Sequence, residues 1–191
     1  MGTIKTTNIE TITGSGTLTL GQSGETISVP SGVTMSVPSG GLSGQNYPAF
    51  EAYLSANQTI TDSTATKVEF NTEVYDTNGY YDNATNYRYT PLVAGKYYVY
   101  ASLEVGGDSA TTVGTIAGYI YKNGVNYSSL GKVYNASFIR RSVVTLSSVI
   151  DMNGTTDYLE MFTYIDLTSG TPTIFIDGAK TTKFGAYRIG S

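Results

Sequence analysis

Residues 96–105 alternate strictly between two sets of side chains, and this alternation constrains the fold more than any other feature. A period of two residues is the pattern of a β-strand that buries one face and exposes the other. The odd-numbered set is predominantly apolar, and the even-numbered set carries hydroxyl and carboxylate groups. We therefore predict a strand with one face in the core, formed by Tyr97, Val99, Ala101, Leu103 and Val105, and one face outside it, formed by Tyr98, Tyr100, Ser102 and Glu104.

Short runs of β-favouring residues recur along the rest of the chain. The sequence predicts further strands over 49–55, 66–75, 86–91, 115–122, 142–151, 157–165, 173–176 and 183–189. Glycine-containing pairs between them indicate turns, and the Asn/Asp-Gly pairs favour tight hairpins: Asn78-Gly79, Gly106-Gly107, Asn123-Gly124, Asn153-Gly154 and Asp177-Gly178. No segment of this half has helical periodicity. Regular strand spacing with such turns predicts an all-β sandwich or barrel.

Residues 1–47 have a different composition, with no Phe, a single Tyr and a high density of Gly, Ser and Thr. They contain three apolar-polar-apolar triplets, each followed by a Gly- or Pro-led turn. Triplets this short bury their side chains only by stacking, on their own neighbours or on other subunits. We predict an N-terminal β-repeat segment, a shaft or anchor over 1–47, with these assembly residues: Leu18, Leu20, Ile27, Val29, Met35 and Val37. The alternative is a disordered linker. Residues 40–48 read as a hinge before a globular head over 48–191.

A series of motifs in the head resembles the globular head of complement component 1q and its tumour-necrosis-factor-like relatives. The motifs are Phe70-Asn71, Tyr80-Tyr81-Asp82, Tyr89-Thr90-Pro91, Gly95-Lys96-Tyr97-Tyr98-Val99 and the closing Phe184-Gly185-Ala186-Tyr187. The likeness covers about residues 48–191 and departs from the usual pattern at Asn71 and Ala186. It implies a ten-stranded-type antiparallel jelly-roll sandwich and assembly as a homotrimer. The segment GETISVPSGVTMSVPSG also resembles N-terminal segments of marine bacteriophage virion fibre proteins.

Charge and composition exclude several classes of partner. The chain has 11 Lys and Arg residues and a net charge of −4, which gives no electrostatic footprint for nucleic acid or an anionic membrane. No run approaches the roughly 20 apolar residues of a membrane helix, and the N-terminus has no apolar signal-peptide region. We therefore expect no membrane insertion and no nucleic-acid partner. Cysteine is absent, so stability must come from packing or from subunit association.

The sequence lacks several of the residue types that enzymes use for catalysis. Histidine and cysteine are both absent, which excludes Ser-His-Asp and Cys-His nucleophiles and the usual zinc ligands. Asp151 and Asp157 are conceivable as a glycosidase pair, although both flank the Asn153-Gly154 turn, where Asp is a common residue. We favour the turn interpretation and expect a protein that is not an enzyme and has no cofactor.

Calcium is the one metal that the sequence leaves open. Asp76, Asn78 and Asp82 supply hard oxygen ligands, and the resemblance implies calcium near a trimer apex. The same residues are equally typical of an ordinary β-turn.

Tyrosines are the most informative surface residues, because a tyrosine combines a flat apolar ring with a polar tip at low entropic cost. Those near predicted loops are candidates for contacts with a receptor, either a host-surface glycan or a protein. They are Tyr75, Tyr80, Tyr81 and Tyr87.

These observations lead to one main functional hypothesis. The chain is a homotrimeric bacteriophage virion protein of the fibre or spike type, made in the host cytoplasm, with a jelly-roll head for host-surface attachment. Residues 1–40 would then dock on other virion proteins. A capsid decoration protein on the phage head and a secreted lectin-like adhesion module are the alternatives.

Overall fold

The computed structural model describes residues 29, 31–33, 47–107, 113–134, 139–176 and 180–190. Contacts within the chain separate Met1–Gln45 from Asn46–Ser191. Val29 is the one predicted assembly residue among those described, and its side chain is exposed. The other five lie outside the described residues: Leu18, Leu20, Ile27, Met35 and Val37. The predicted repeat and its role in assembly therefore stay predictions.

The described residues contain thirteen β-strands. In chain order they are β1 (Ala49–Tyr53), β2 (Gln58–Thr59), β3 (Thr66–Lys67), β4 (Thr72–Asp76), β5 (Tyr81–Asp82), β6 (Arg88–Tyr89), β7 (Gly95–Gly107), β8 (Val113–Lys122), β9 (Val125–Val133), β10 (Arg141–Met152), β11 (Leu159–Leu167), β12 (Pro172–Phe175) and β13 (Lys183–Gly190). Within this part of the chain, no helix is long and apolar enough to cross a bilayer.

The strands form two antiparallel sheets that share one core. In the seven-stranded sheet, β7 pairs with β10 along one side and with β13 and then β12 along the other. Strands β1 and β4 continue beyond β13, and β2 lies beside β12. The six-stranded sheet has the order β5-β6-β11-β8-β9, and β3 also pairs with β11. This arrangement confirms the predicted all-β antiparallel jelly-roll sandwich.

The core confirms the predicted alternation of β7. Its odd-numbered residues from Tyr97 to Val105 are at most 1% exposed. An aromatic cluster lies between the sheets, where the ring of Phe50 stacks on Tyr81 and on Tyr89 at centroid distances of 4.7 and 4.2 Å. Phe184 meets the Phe50 ring edge-on at 4.9 Å. These buried rings tie β1, β5, β6 and β13 together across the sandwich.

Two strand predictions need correction. The strand predicted over 66–75 is interrupted, because β3 belongs to the six-stranded sheet and β4 to the seven-stranded sheet. Val68 and Phe70, between them, are both fully buried where the chain passes from one sheet to the other. The two-residue strands β2 and β5 were not predicted, and neither was the nine-residue strand β9. Its residues are exposed on both faces, so they carry no alternation that a period-two pattern would detect.

The turn predictions divide according to which strands each turn joins. Asn123-Gly124 forms the expected tight hairpin between β8 and β9, with φ of 54° and 76°, as a primed turn requires. Asn78-Gly79 and Asn153-Gly154 instead join strands of different sheets, so they are not hairpins. Gly106-Gly107 is the end of β7, and Asp177-Gly178 lies outside the described residues.

Candidate assembly and binding surfaces

The outward side of the seven-stranded sheet carries a group of tyrosines, which we call the tyrosine face. It consists of Tyr75 on β4, Tyr98 and Tyr100 on β7, and Tyr187 on β13, with Val149 of β10 beside them. The strand register brings these residues together, because Tyr98 lies directly opposite both Tyr187 and Val149. Facing positions on neighbouring strands are in side-chain contact distance, so the face is continuous.

The rings of the tyrosine face are close together and remain accessible. Tyr98 lies 5.5 Å from Tyr187 and 6.2 Å from Tyr100, measured between ring centroids. Tyr75, Tyr187 and Val149 are 43%, 44% and 48% exposed. Clustered aromatic and aliphatic side chains on a sheet surface are typical of protein interfaces, where tyrosine is enriched.

Tyr100 is held flat against the sheet by its neighbours. Its hydroxyl donates a 2.8 Å hydrogen bond to Glu51 Oε2, and Lys183 lies 3.4 Å from the same carboxylate. Burial, together with hydrogen bonding to Glu51 and Tyr75, raises the pKa of Tyr100 and keeps it neutral. Gly185 lies under the ring, and a Cβ there would fall 2.5 Å from Tyr100 Cζ. Only glycine at 185 therefore leaves room for this ring position.

Strand β9 is a second unusual surface. It pairs only with β8 among the described residues, and eight of its nine residues are exposed. Its exposed apolar side chains include Val125, Tyr127, Leu130 and Val133, of which Val133 reaches 70% exposure. A long exposed edge strand with apolar side chains is a site where another chain can pack.

The tyrosines predicted as receptor contacts have different positions in the structure. Tyr75 lies on the tyrosine face, while Tyr80 and Tyr87 are half-buried near β5 and β6. The prediction for Tyr81 was wrong, because its side chain is 6% exposed and its hydroxyl donates to the Phe70 carbonyl oxygen at 3.0 Å. Tyr81 stacks on Phe50 in the core, a long-range contact that adjacency to a predicted loop does not reveal.

Tyr98, Tyr100 and Tyr187 were not among the predicted binding residues, although the sequence carries a signal for them. Tyr98 and Tyr100 occupy even-numbered positions of β7, on the side predicted to lie outside the core. Two large rings at such positions of one strand indicate a covered surface more strongly than loop tyrosines do. Tyr187 joins them only through strand pairing across more than eighty residues.

The predicted calcium ligands are used to shape turns. Asp76 Oδ1 accepts from the amides of Asn78 and Gly79, and Asp76 Oδ2 accepts from the amide of Tyr81. Asp82 is surrounded in the same way by N–H donors from residues 84–86. The four donors use every lone pair of the Asp82 carboxylate, so this predicted ligand has none left for a calcium ion. Across the described residues, no group of three or more acidic, His or Cys side chains is arranged to hold a metal.

Asp151 and Asp157 differ sharply in environment. Asp151 has a 77% exposed side chain that lies 3.2 Å from Lys96. Asp157 is buried and accepts hydrogen bonds from Asn123 Nδ2, from the Asn153 amide and from Lys122 Nζ. Burial raises the pKa of Asp157, but these hydrogen bonds and the Lys122 charge outweigh it and lower the pKa overall. A glycosidase acid needs a raised pKa, so Asp157 is suited to capping the turn and not to proton donation.

Comparison with known proteins identifies the fold. No protein-family profile matches the sequence, and no curated protein is similar to it. An Eiger tumour necrosis factor structure from S. frugiperda is similar with a TM-score of 0.50 at 10% identity, covering 76% of this chain and 92% of that one. Murine APRIL has a TM-score of 0.55 at 9% identity, covering 75% of this chain and 100% of that one. The zebrafish complement 1qA globular domain has a TM-score of 0.49 at 16% identity, covering 73% of this chain and 93% of that one. The head therefore has a tumour-necrosis-factor-like jelly-roll fold.

Proposed function

We propose that this protein is a homotrimeric, non-enzymatic structural protein of a bacteriophage virion, with the jelly-roll head at the tip of a fibre and a role in host-surface attachment. The single observation that carries the assembly part of the proposal is the tyrosine face. No described element of the chain covers this face, although Tyr98, Tyr187 and Val149 form a contiguous apolar surface across three strands.

The exposed edge of the head at strands β9 and β10 supplies a surface that would cover the tyrosine face of another copy. Strand β9 presents apolar side chains on both sides, and Val143 of β10 is 41% exposed. If the β9 and β10 edge of each subunit packs on the tyrosine face of the next, the contact is heterologous. Such contacts close into a ring when the rotation allows, and three copies form the smallest closed ring beyond a dimer. The likeness of fold to tumour necrosis factors supports three copies.

The virion part of the proposal is supported by the sequence alone. The chain has no cysteine and a Gly/Ser/Thr-rich N-terminal segment with paired apolar residues at fixed spacing, and this segment resembles bacteriophage fibre proteins. Subunit association would stabilise both the predicted N-terminal repeat and a head without disulfides. Residues 1–40 would dock on other virion proteins, and the head would face the host.

Light scattering tests the assembly. We expect a native mass of three times 20.4 kDa for the full chain, and a trimer also for a chain that starts at Pro48. The substitution Tyr187→Glu, which introduces a charge in the middle of the tyrosine face, should shift the head to monomers. Leu92→Glu replaces a similarly exposed apolar residue away from this face and should leave the mass unchanged. A Pro48 chain that is monomeric beside a trimeric full chain would refute assembly through the head.

Immunogold electron microscopy tests the virion role. Antibodies raised against the purified chain should label projecting fibres on phage particles. Labelling of the capsid faces would support the decoration protein instead, and labelling of bacterial surfaces without phage would support the adhesion module. Each pattern excludes the other two locations, so the experiment separates the three functions.

A further inference from the structure

A cleft of about 340 Å³ opens at the end of the six-stranded sheet, around strands β5 and β6. Its volume is near the lower limit of ligand pockets, roughly 300 Å³, which suits a ligand of one or two small rings. The residues that line it include Gly79, Tyr80, Asp82, Arg88, Thr90 and Leu92.

The apolar part of the cleft comes from two side chains. Tyr80 is half-buried and packs against the hydrophobic core, which fixes its ring at the cleft wall. Leu92 is 56% exposed beside it. An aromatic ring held rigidly beside an exposed aliphatic side chain provides a surface for the C–H face of a sugar ring.

The cationic group of the cleft is Arg88, which is held in place by a ring contact and not by an ion pair. Its guanidinium lies over the ring of Tyr158, at 4.6 Å from the ring centroid. Arg88 and Asp82 are directly opposite each other in the β5–β6 register, yet no ion pair joins them. Among the described residues Arg88 has no carboxylate partner, so its five N–H donors are directed by stacking alone and remain available to a ligand.

The anionic part is Asp82. Hydrogen bonds from the Thr85 amide, and also from Ala84 and Asn86, outweigh burial and lower the pKa of Asp82 to about 2. The carboxylate is therefore ionised at neutral pH, and its oxygens are committed to the turn: Oδ1 accepts from the amides of Ala84 and Thr85, and Oδ2 accepts from the amide and the side chain of Asn86. One positive and one negative group leave the cleft with no net charge. Such a site fits a neutral ligand that both donates and accepts hydrogen bonds.

We infer that this cleft binds a neutral saccharide unit. The ring of Tyr80 and the Leu92 side chain contact the apolar face of the sugar. Arg88 donates hydrogen bonds to the hydroxyl oxygens, and Thr90 accepts from a hydroxyl proton, while the ionised Asp82 balances the charge of Arg88. This inference rests on the proposed attachment function and specifies its ligand class. Because β5 and β6 belong to the six-stranded sheet, the cleft does not use the tyrosine face that assembly would cover.

Saturation-transfer NMR on the full-length protein tests the site. The probes are methyl glycosides of glucose, galactose, mannose and N-acetylglucosamine, with methyl glucuronide as the acidic comparison. We expect saturation transfer to the C–H face of at least one neutral glycoside and a weaker signal from the glucuronide. Arg88→Gln should weaken binding of the preferred glycoside by about tenfold or more, because the lost hydrogen bonds come from a charged donor.

Lys180→Gln is the matched control, because Lys180 also lies over a tyrosine ring, that of Tyr53 at 5.1 Å, and does not line the cleft. It should leave binding unchanged. The inference is overturned if no neutral glycoside binds, if only the glucuronide binds, or if Arg88→Gln binds as tightly as the wild type. Light scattering on the same samples reports assembly separately. A trimer that binds no glycoside refutes the cleft alone, and a monomer that binds one refutes the trimer alone.

Discussion

Two buried tyrosines provide a sharp test of the core, because they share one stacking partner and differ in their hydroxyl groups. Tyr81 and Tyr89 both stack on Phe50, and they are 6% and 0% exposed. The Tyr81 hydroxyl donates to the Phe70 carbonyl oxygen. Among the described residues, the Tyr89 hydroxyl has no hydrogen-bond partner. Replacing each tyrosine with phenylalanine removes only the hydroxyl and keeps the stacked ring.

The two substitutions should change the free energy of unfolding in opposite directions. A buried hydroxyl without a partner costs about 1–3 kcal/mol, so Tyr89→Phe should stabilise the head by about 1 kcal/mol. A satisfied hydroxyl contributes about 0.5–1.5 kcal/mol net, so Tyr81→Phe should destabilise it by about 1 kcal/mol. The expected difference between the variants is therefore about 2 kcal/mol, or roughly 4–8 °C in Tm for a domain of this size.

Urea unfolding at a fixed protein concentration measures this difference, because subunit association makes stability depend on concentration. Both variants should keep the wild-type m-value, which would show that unfolding exposes the same surface area as it does in the wild type. A Tyr89→Phe protein less stable than the wild type would refute the reasoning, since it would mean that the Tyr89 hydroxyl makes a favourable interaction in the folded state.

Three further predictions concern other parts of the head. Gly185→Ala should displace the Tyr100 ring, because the added Cβ would overlap with it. We expect a loss of stability of about 2 kcal/mol in thermal unfolding and weaker assembly in light scattering. An unchanged mass and Tm would contradict the packing argument. Asp82→Asn should lower stability at pH 7 by about 1 kcal/mol after allowance for solvent screening. Because the folded pKa is about 2 and the ordinary value is 3.8, this loss should be constant above about pH 5 and vanish as the pH falls through about 2. Asp157→Asn should destabilise the head by about 2 kcal/mol, because the substitution removes the half-buried ion pair with Lys122. Asp151→Asn, at an exposed site, should cost less than about 0.5 kcal/mol. Equal effects of the two substitutions would refute the capping role of Asp157.

The local patterns of the sequence determined the fold class and its longest strands. The alternation of β7 follows directly from apolar residues at every second position, since a strand has a side-chain period of two. The Asn123-Gly124 hairpin likewise follows from a dipeptide that accepts positive φ at both positions. These features depend only on residues that are close together in the sequence, so they can be predicted without the tertiary structure.

Tertiary structure decided where the surfaces lie. Tyr187 and Val149 join the tyrosine face only because β13 and β10 pair with β7, and Tyr81 enters the core because its ring reaches Phe50 from a different sheet. Likewise, Asn153-Gly154 reads as a hairpin locally, yet it joins different sheets. The physical reason is that turn chemistry and side-chain period are short-range properties. Strand pairing and the burial of a given side chain depend on contacts between residues far apart in the chain, and those contacts exist only once the sheets have packed.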